Sequence, residues 1–367
     1  MTDKIIQRTD KTIAVDINLT GGEFLRLANN FYQVNNLHAD IPRLNTDAAL
    51  VNFILQNAAS VQQKYRVALV FICLNPEYWE YAKNMIDGSK QFFLPGHVVD
   101  WLFWSDMPEL DDTKALERAR EHLTNLYTSL GRSDVPVVVE EAMRCAVDGI
   151  VAARETTVFE TGPQEWPMPT LMRYHLFLQQ EEKLREYDYI FYCDVDMMFV
   201  NVVGDEILSE GLTAAQHPMY ALDKTLWPPY EPNPNSAAYI PRPGLVINDN
   251  GKPRFMPLYF AGGFQGGKTD TFITAMKAMR KMADSDMAKN YIPIWNDESI
   301  WNKYLFENPP SKVLTPSYIY PDSLINEFYV PRWGRNYPPK LVTLTKKHTL
   351  KQLSAEEQQQ IIAMQKR

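Results

Sequence analysis

The stretch YDYIFYCDVDMMFV, residues 187–200, constrains this chain more than any other. Tyr189–Tyr192 is an apolar, aromatic run of the kind that forms a buried strand. It ends in two aspartates, Asp194 and Asp196, one residue apart. A carboxylate taken out of water without a partner is strongly disfavoured, and neighbouring carboxylates repel each other. Something positive therefore belongs between them. In extended chain, residues i and i+2 point to the same face, so both acids can address one cation. With no His or Cys cluster nearby, the ion that suits them is hard and oxygen-seeking, manganese or magnesium. Two carboxylates leave coordination positions open, and a diphosphate would fill them. The plainer alternative is a pair of solvated acids at a strand end.

Upstream, the rhythm of strand and helix is regular. Val67–Leu74 (VALVFICL) predicts a buried strand, followed by a helix over Glu77–Ile86 after Pro76. Val98–Trp104 predicts a second strand, Asp112–Leu130 a helix, and Val135–Val139 a further β-rich run. Thr170–Glu186 predicts a helix leading into the strand that carries the aspartates. Strands alternating with helices give an α/β class with a mainly parallel central sheet flanked by helices. Ligands in such folds sit beyond the carboxyl ends of strands, where Asp194 and Asp196 fall. Trp227–Arg242 reads as a proline-rich loop, then come a strand at Pro257–Phe260, a glycine-rich turn, a helix over Thr269–Met287 and another starting near Asp297.

The ends differ in character. Residues 1–64 predict a helical extension, in which Ala48–Gln63 sets Leu50, Phe53, Ile54 and Ala58 on one face. Ser354 and Glu357 form a capping-box pair that opens a short helix in a tail over 351–367. Between them, 65–350 reads as one α/β domain. The net charge of −8 argues against a nucleic-acid partner. Three scattered cysteines form neither a disulfide framework nor a zinc site, and no stretch has the length of a membrane span or the pattern of a signal peptide. A cytoplasmic protein is expected.

Two further motifs bear on chemistry. FAGGFQGG (260–267) pairs glycines that let a ligand approach the backbone, or that simply form a bulged turn. WNDESIWNKY (295–304) places Asn296 or Asp297 at a helix cap and Glu298 in the first turn, where the helix dipole favours an ionised acid by about 0.3–1 kcal/mol. An ionised carboxylate suits a nucleophile or a stabiliser of positive charge on a sugar, although acids also start helices for structural reasons. Lys346, Lys347 and His348 form a basic cluster that could close over phosphates or lie in solvent.

The order of these blocks resembles the family 6 retaining glycosyltransferases, which include the blood-group A and B transferases and α-1,3-galactosyltransferase. The likeness runs from about Val67 to His348. It rests on VALVFICL, FFLPGH, EWPMPTLMRY, DYIFYCDVDMMF, HPMYALDKTLWPPYEPNPNSAAYIP, LYFAGGFQGG, WNDESIWNKYLFENPPSKVLTPSYIYPD and TKKHTLKQ. The resemblance implies a GT-A type nucleotide-sugar-binding fold and transfer of galactose or N-acetylgalactosamine from a UDP-sugar to a galactose-containing glycan in α-1,3 linkage. Asp194, Val195 and Asp196 would be its DxD motif, with both aspartates on manganese (Mn2+) or magnesium. Phe71, Cys73 and Tyr78 would line the uracil pocket, and Arg173 would lie near the donor sugar and phosphate. Ala261, Gly262 and Gly263 would face the donor, and glycine at 263 leaves room for an acetamido group. Asp297 would hold the donor sugar, Lys346 and Lys347 would reach the diphosphate, and Glu298 matches the catalytic carboxylate. His217, Trp295 and Asp322 would bind the acceptor.

Departures from the family pattern bear on the acceptor and the ends. Animal members carry an N-terminal membrane anchor, whereas residues 1–64 are polar, which suggests a microbial or viral relative. Some members replace both aspartates by asparagine and dispense with metal; this chain keeps both. Pro229 and Asn296 depart from the blood-group enzymes at acceptor-side positions. Two other readings compete. Haloacid-dehalogenase-like phosphatases also end a strand in DxD and would use Asp194 as nucleophile, although they follow it with smaller residues than Met197 and Met198. A non-catalytic sugar-binding protein would need neither UDP nor Glu298.

Overall fold

The computed structural model describes residues 64–222, 228–241, 258–324 and 337–346. The helical extension over 1–64 and the tail helix over 351–367 lie outside these, apart from Lys64. The described chain begins with β1 (Arg66–Cys73), which runs through Asn75 into α1 (Pro76–Phe92). Pro76 opens that helix because its missing N–H costs nothing in the first turn. Then come β2 (Val98–Ser105) and α2 (Thr113–Ser129). The Asp112 side chain caps α2 by accepting from the Ala115 N–H at 2.9 Å.

The β-rich run Val135–Val139 is not a strand. It opens α3 (Val135–Ala153), with Pro136 in the first turn. Valine disfavours a helix by less than about 1 kcal/mol per residue, and burial of one face outweighs that. Val139, Ala142, Met143, Ala146 and Ile150 recur at helical spacing and are all buried. Gly149 brings α3 close to α1, since a Cβ there would stand 2.2 Å from the Trp79 carbonyl oxygen.

After β3 (Thr157–Glu160), the helix expected over Thr170–Glu186 is divided into α4 (Met168–Leu171), α5 (Arg173–Leu178) and α6 (Glu181–Leu184). The first break sits at Met172, so Arg173 starts a new helix with its side chain turned into the interior. The chain continues through β4 (Tyr189–Cys193), β5 (Met197–Phe199), β6 (Leu212–Gln216) and α7 (Pro218–Leu222). The remainder is β7 (Phe260–Lys268), α8 (Thr269–Met287), α9 (Asn296–Glu307), β8 (Lys312–Leu314), β9 (Tyr320–Pro321) and β10 (Leu341–Thr343).

A seven-stranded sheet has the order β3-β2-β1-β4-β7-β6-β8, and a small sheet has the order β5-β10-β9. In the large sheet only β7 runs antiparallel to its neighbours. One apolar layer, from β1 residues such as Leu69 and Phe71, packs on α1, α2 and α3. The other, from Val70 and Ile72, packs on α5, α8 and α9. This is the mixed α/β arrangement, mostly parallel, that the sequence predicts. Among the described residues, no helix is long and apolar enough to cross a membrane.

The glycine-rich block departs from expectation most. FAGGFQGG is almost all of β7, an inner strand, not a turn. Its glycines allow close approach: a Cβ on Gly266 would lie 2.3 Å from the Ile190 carbonyl oxygen of β4. Gly263 is less tightly held, since a Cβ there would meet side-chain ends, Asp194 Oδ2 at 2.8 Å and Ile319 Cδ1 at 2.9 Å.

Candidate active site

A cavity of about 1010 Å³ opens at the carboxyl ends of β1 and β4. Its walls come from the β1–α1 junction, the residues around Arg173, the Asp194–Asp196 turn, Gly262 and Gly263 of β7, the start of α9, and Lys346. The two aspartates do not continue β4 in extended form. They sit in a turn, closed by the Met197 N–H donating to the Asp194 carbonyl at 3.2 Å and tied to β7 by the Asp194 N–H donating to Gly263 O at 2.9 Å. Both still line the cavity, with Val195 between them.

Each aspartate faces a cation of the protein itself. Arg173 Nη2 lies 3.4 Å from Asp194 Oδ1, and Lys346 Nζ lies 3.1 Å from Asp196 Oδ2. The Tyr192 hydroxyl also donates to Asp194, and its ring lies under the Arg173 guanidinium at 4.1 Å. Asp196 is buried, and burial, aided by repulsion from Asp194, pushes its pKa up to about 6.

Arg173 reaches further. Its Nη1 lies 2.9 Å from Asp297 Oδ2, a charge contact, and also donates to the Gly262 carbonyl at 3.1 Å. Burial would lower the Arg173 pKa, but Asp297 and the groups around it more than offset this and raise it. The guanidinium is fixed as a cation between two acids. Asp297 is itself pushed up to about 6, by burial above all.

Glu298 occupies the first turn of α9, accepts from the Gly262 N–H at 2.8 Å and lines the cavity. The dipole argument predicts that it stays ionised. Burial reverses that balance and pushes its pKa up to about 7, against the pull of the Gly262 N–H. Relative to an ordinary glutamate this is roughly 3 kcal/mol, larger than the 0.3–1 kcal/mol a helix terminus usually supplies.

The other predicted residues divide clearly. Tyr78 lines the cavity with Lys346 over its ring at 5.4 Å, and Trp295 lines it while remaining half-exposed. Phe71 and Cys73 do not line it: both are fully buried in the layer beneath α1, and Ile72 and Leu74 take the wall instead. Ala261 is buried in the same layer, and the glycines after it meet the cavity. His217 lies outside the cavity wall, its ring 5.1 Å from Tyr220 and 5.8 Å from Tyr259, and burial lowers its pKa to about 4. Asp322 also stands off the wall and accepts from Thr345 N at 2.7 Å and Thr345 Oγ1 at 2.5 Å. Lys347 lies outside the described residues.

Several cavity residues were not anticipated. Tyr192 precedes Asp194 by two residues in a strand, so a period-2 reading would have put it on the same face. Glu77 and His122 pair across the rim at 2.8 Å, and nothing in the sequence links residues so far apart.

Residues 135–330, more than half of the chain, match the family model for glycosyltransferase family 6. The chain belongs to that family. The match includes Arg173, the Asp194–Asp196 turn, β7 and the start of α9, the walls that converge on Glu298. Among similar proteins, the rat histo-blood group ABO system transferase 1 is 30% identical over 251 residues, 68% of this chain and 59% of its own length. The human globoside alpha-1,3-N-acetylgalactosaminyltransferase 1 is 31% identical over 248 residues, 67% of this chain and 58% of its own. An O-antigen biosynthesis glycosyltransferase of Escherichia coli is 27% identical over 178 residues, covering 48% of this chain and 67% of its own. The chain thus spans 59% and 62% of the length of the two rat blood-group relatives it matches. Membership in family 6 weighs against the phosphatase reading of Asp194.

Proposed function

We propose that the chain transfers a hexose, with retention, from a UDP-sugar to a hydroxyl of a galactose-containing glycan in α-1,3 linkage. The single observation that carries this reading is the Arg173 bridge, which joins Asp194 at 3.4 Å to Asp297 at 2.9 Å. It locks the acidic turn and the start of α9 into one wall, so that phosphates at the turn set a sugar before Glu298.

The donor set fits a hard divalent cation. Asp194 and Asp196 offer oxygen only, and the repulsion that helps raise Asp196 would be relieved by a charge between them. Among the described residues, no group of three or more His, Cys, Asp or Glu could hold a metal alone, so phosphate oxygens would complete the shell. When bound, such an ion, manganese or magnesium, would act as a Lewis acid for the departing UDP. Lys346 stands beside Asp196, within reach of the same phosphates. Arg173 orients Asp297 toward the sugar, and ionised Glu298 would face the anomeric carbon as nucleophile or as electrostatic support. Named N-acetylgalactosaminyltransferases among its relatives, together with glycine at 263, favour N-acetylgalactosamine as donor sugar.

The test is titration of UDP with and without manganese, followed by hydrolysis of UDP-galactose and UDP-N-acetylgalactosamine in wild type and Glu298→Gln. Expected are metal-dependent UDP binding and slow release of one sugar, with turnover at least about 100-fold lower in the variant and UDP affinity unchanged. Binding without any release in wild type would favour a sugar-binding protein. No binding under either condition would overturn the donor assignment.

A further inference from the structure

The loop 228–241 carries a glutamate that the transfer chemistry leaves unused. Glu231 is almost completely buried, at 1% exposure, and its carboxylate takes three donors. Oε1 accepts from the Asn233 N–H at 2.8 Å and from the Tyr291 hydroxyl at 2.7 Å. Oε2 accepts from the Ile294 N–H at 2.7 Å. The first bond closes the loop on itself. The other two fasten it to residues 291–294, the strap between α8 and α9.

A second buried acid joins the same two segments. Asp286, at the end of α8, accepts from Ser236 Oγ at 2.6 Å and the Ala237 N–H at 2.8 Å. The Tyr291 N–H in turn donates to the Asp286 carbonyl at 2.9 Å. Loop and strap are therefore one riveted unit with carboxylates as rivets. Three donors offset the desolvation of the Glu231 carboxylate, and removing any of them leaves a buried acceptor short of a partner.

What the rivet positions is the cavity rim. Ile294, whose N–H is held by Glu231, directly precedes Trp295, which lines the cavity and is 49% exposed. Trp295 is fixed from the other side too: its N–H donates to Ser299 Oγ at 3.1 Å, and its carbonyl accepts from the Glu298 N–H at 2.9 Å. Ile292 and Ile294 are likewise exposed, which gives the strap an apolar outer face beside Trp295 in the sequence. Sugar rings present apolar C–H faces to such surfaces, and an indole held rigidly loses little freedom on binding.

We infer that Glu231 is a positioning residue for the glycan acceptor: it holds the 291–295 strap so that Trp295 meets the acceptor sugar at the cavity mouth. The inference rests on the transferase reading above. It assigns to Glu231 no contact with donor or acceptor, and its effect passes through the Ile294 N–H and the Tyr291 hydroxyl.

The experiment compares wild type with Glu231→Gln and Tyr291→Phe in the full chain. Glutamine keeps the shape but loses one acceptor oxygen, and phenylalanine removes one of the three donors. Hydrogen exchange of the 291–295 backbone is measured first. It is expected to quicken at least about tenfold in Glu231→Gln and less in Tyr291→Phe. With lactose or N-acetyllactosamine as acceptor, whichever wild type uses better, acceptor KM is expected to rise about fivefold or more, with UDP affinity and donor hydrolysis within about twofold of wild type. Unchanged exchange in a folded variant overturns the inference. So does a parallel loss of UDP binding, hydrolysis and transfer, which marks Glu231 as merely structural. If Glu231→Gln does not fold, the same split in Tyr291→Phe decides. A wild type that neither binds UDP nor releases sugar fails the transferase reading instead, and the exchange result stands apart from that failure.

Discussion

Lys346 Nζ stands 3.1 Å from Asp196 Oδ2, so the more buried of the two aspartates is neutralised by a residue that arrives from β10, far along the chain. The Leu344 N–H donates to the Asp196 carbonyl at 2.8 Å, and Asp322 holds Thr345, so the two residues before Lys346 are anchored and bring it to Asp196. A divalent cation on Asp196 must share or displace that ammonium. Lys346→Met is expected to bind manganese alone no more weakly than wild type. The same variant loses a charge-assisted contact to phosphate, of about 1.5–3 kcal/mol, so donor KM should rise about tenfold or more. Calorimetry of manganese and UDP added separately checks both halves. Weaker manganese binding in the variant would show that the lysine supports the ion rather than competing with it.

The Arg173 bridge gives a second prediction. Removing the guanidinium leaves Asp297 buried with no counter-charge, a situation that typically destabilises by about 3–5 kcal/mol. Arg173→Met should therefore lower Tm by several degrees and abolish turnover. Arg173→Lys keeps the charge but cannot reach both carboxylates with one planar fork. It is expected to recover most of the Tm while turnover stays at least about 100-fold down, because alignment of the two walls is lost. Recovery of turnover together with Tm would reduce Arg173 to a structural counter-ion.

Ionisation of the site makes stability and activity run in opposite directions with pH. Glu298, Asp196 and Asp297 have folded pKa values of about 7, 6 and 6, all above those of an unfolded chain. The folded state therefore binds more protons than the unfolded one between about pH 4 and pH 7, and stability falls as pH rises through that window. The Tm of the ligand-free protein should drop by at least about 3 °C between pH 5 and pH 7.5. UDP with manganese should restore it, since binding to the folded state stabilises it. On the proposed role of Glu298 as an ionised carboxylate, turnover should rise over the same range with an apparent pKa near 7. Scanning calorimetry and a pH–rate profile test the two directions separately. A Tm that rises with pH would show that the three acids are not held protonated by burial.

The parts of this fold that could be read from sequence are those where one rule acts alone. Val67–Leu74 is apolar throughout, as a strand covered on both faces is, and its β-branched residues and short length favour a strand. The same uniformity hides which side meets the ligand. With odd and even positions equally apolar, nothing in the run itself separates Phe71 and Cys73, which the resemblance named, from Ile72 and Leu74, and the parity emerges only from how α1 covers the sheet. Val135–Val139 misled because β propensity was weighed without the buried stripe that continues to Ile150. Glu298 does fall in the first turn of α9, as its position predicted, but its charge state depends on burial, which local sequence does not record. Asp322 and Thr345 meet through a fold-back of the chain that no local pattern announces.

The glycines of β7 provide a prediction that separates packing from chemistry. FAGGFQGG looked like a turn because glycine usually interrupts strands. In β7 each glycine answers to a particular neighbour, and the neighbours differ in how far they can yield. At Gly266 the obstacle is the Ile190 carbonyl, 2.3 Å from an added Cβ, in backbone that pairs across the centre of the sheet. At Gly262 the nearest atoms are Asp297 Oδ2 and Glu298 Cβ, both at 3.4 Å, an ordinary contact. Gly263 falls between these cases, facing Asp194 Oδ2 at 2.8 Å and Ile319 Cδ1 at 2.9 Å, both side-chain ends that can shift. Overpacking a core by a methyl group typically costs about 1–3 kcal/mol, and more where backbone must move. Gly266→Ala should therefore yield little folded protein, and Gly262→Ala should fold with a near wild-type Tm. Gly263→Ala should fold but displace Asp194 and narrow the donor space. It should lower kcat/KM for UDP-N-acetylgalactosamine at least about tenfold more than for UDP-galactose, a difference of about 1.4 kcal/mol. Equal losses for both donors would mean that the methyl acts only by disturbing Asp194, and that residue 263 does not discriminate the acetamido group in this chain.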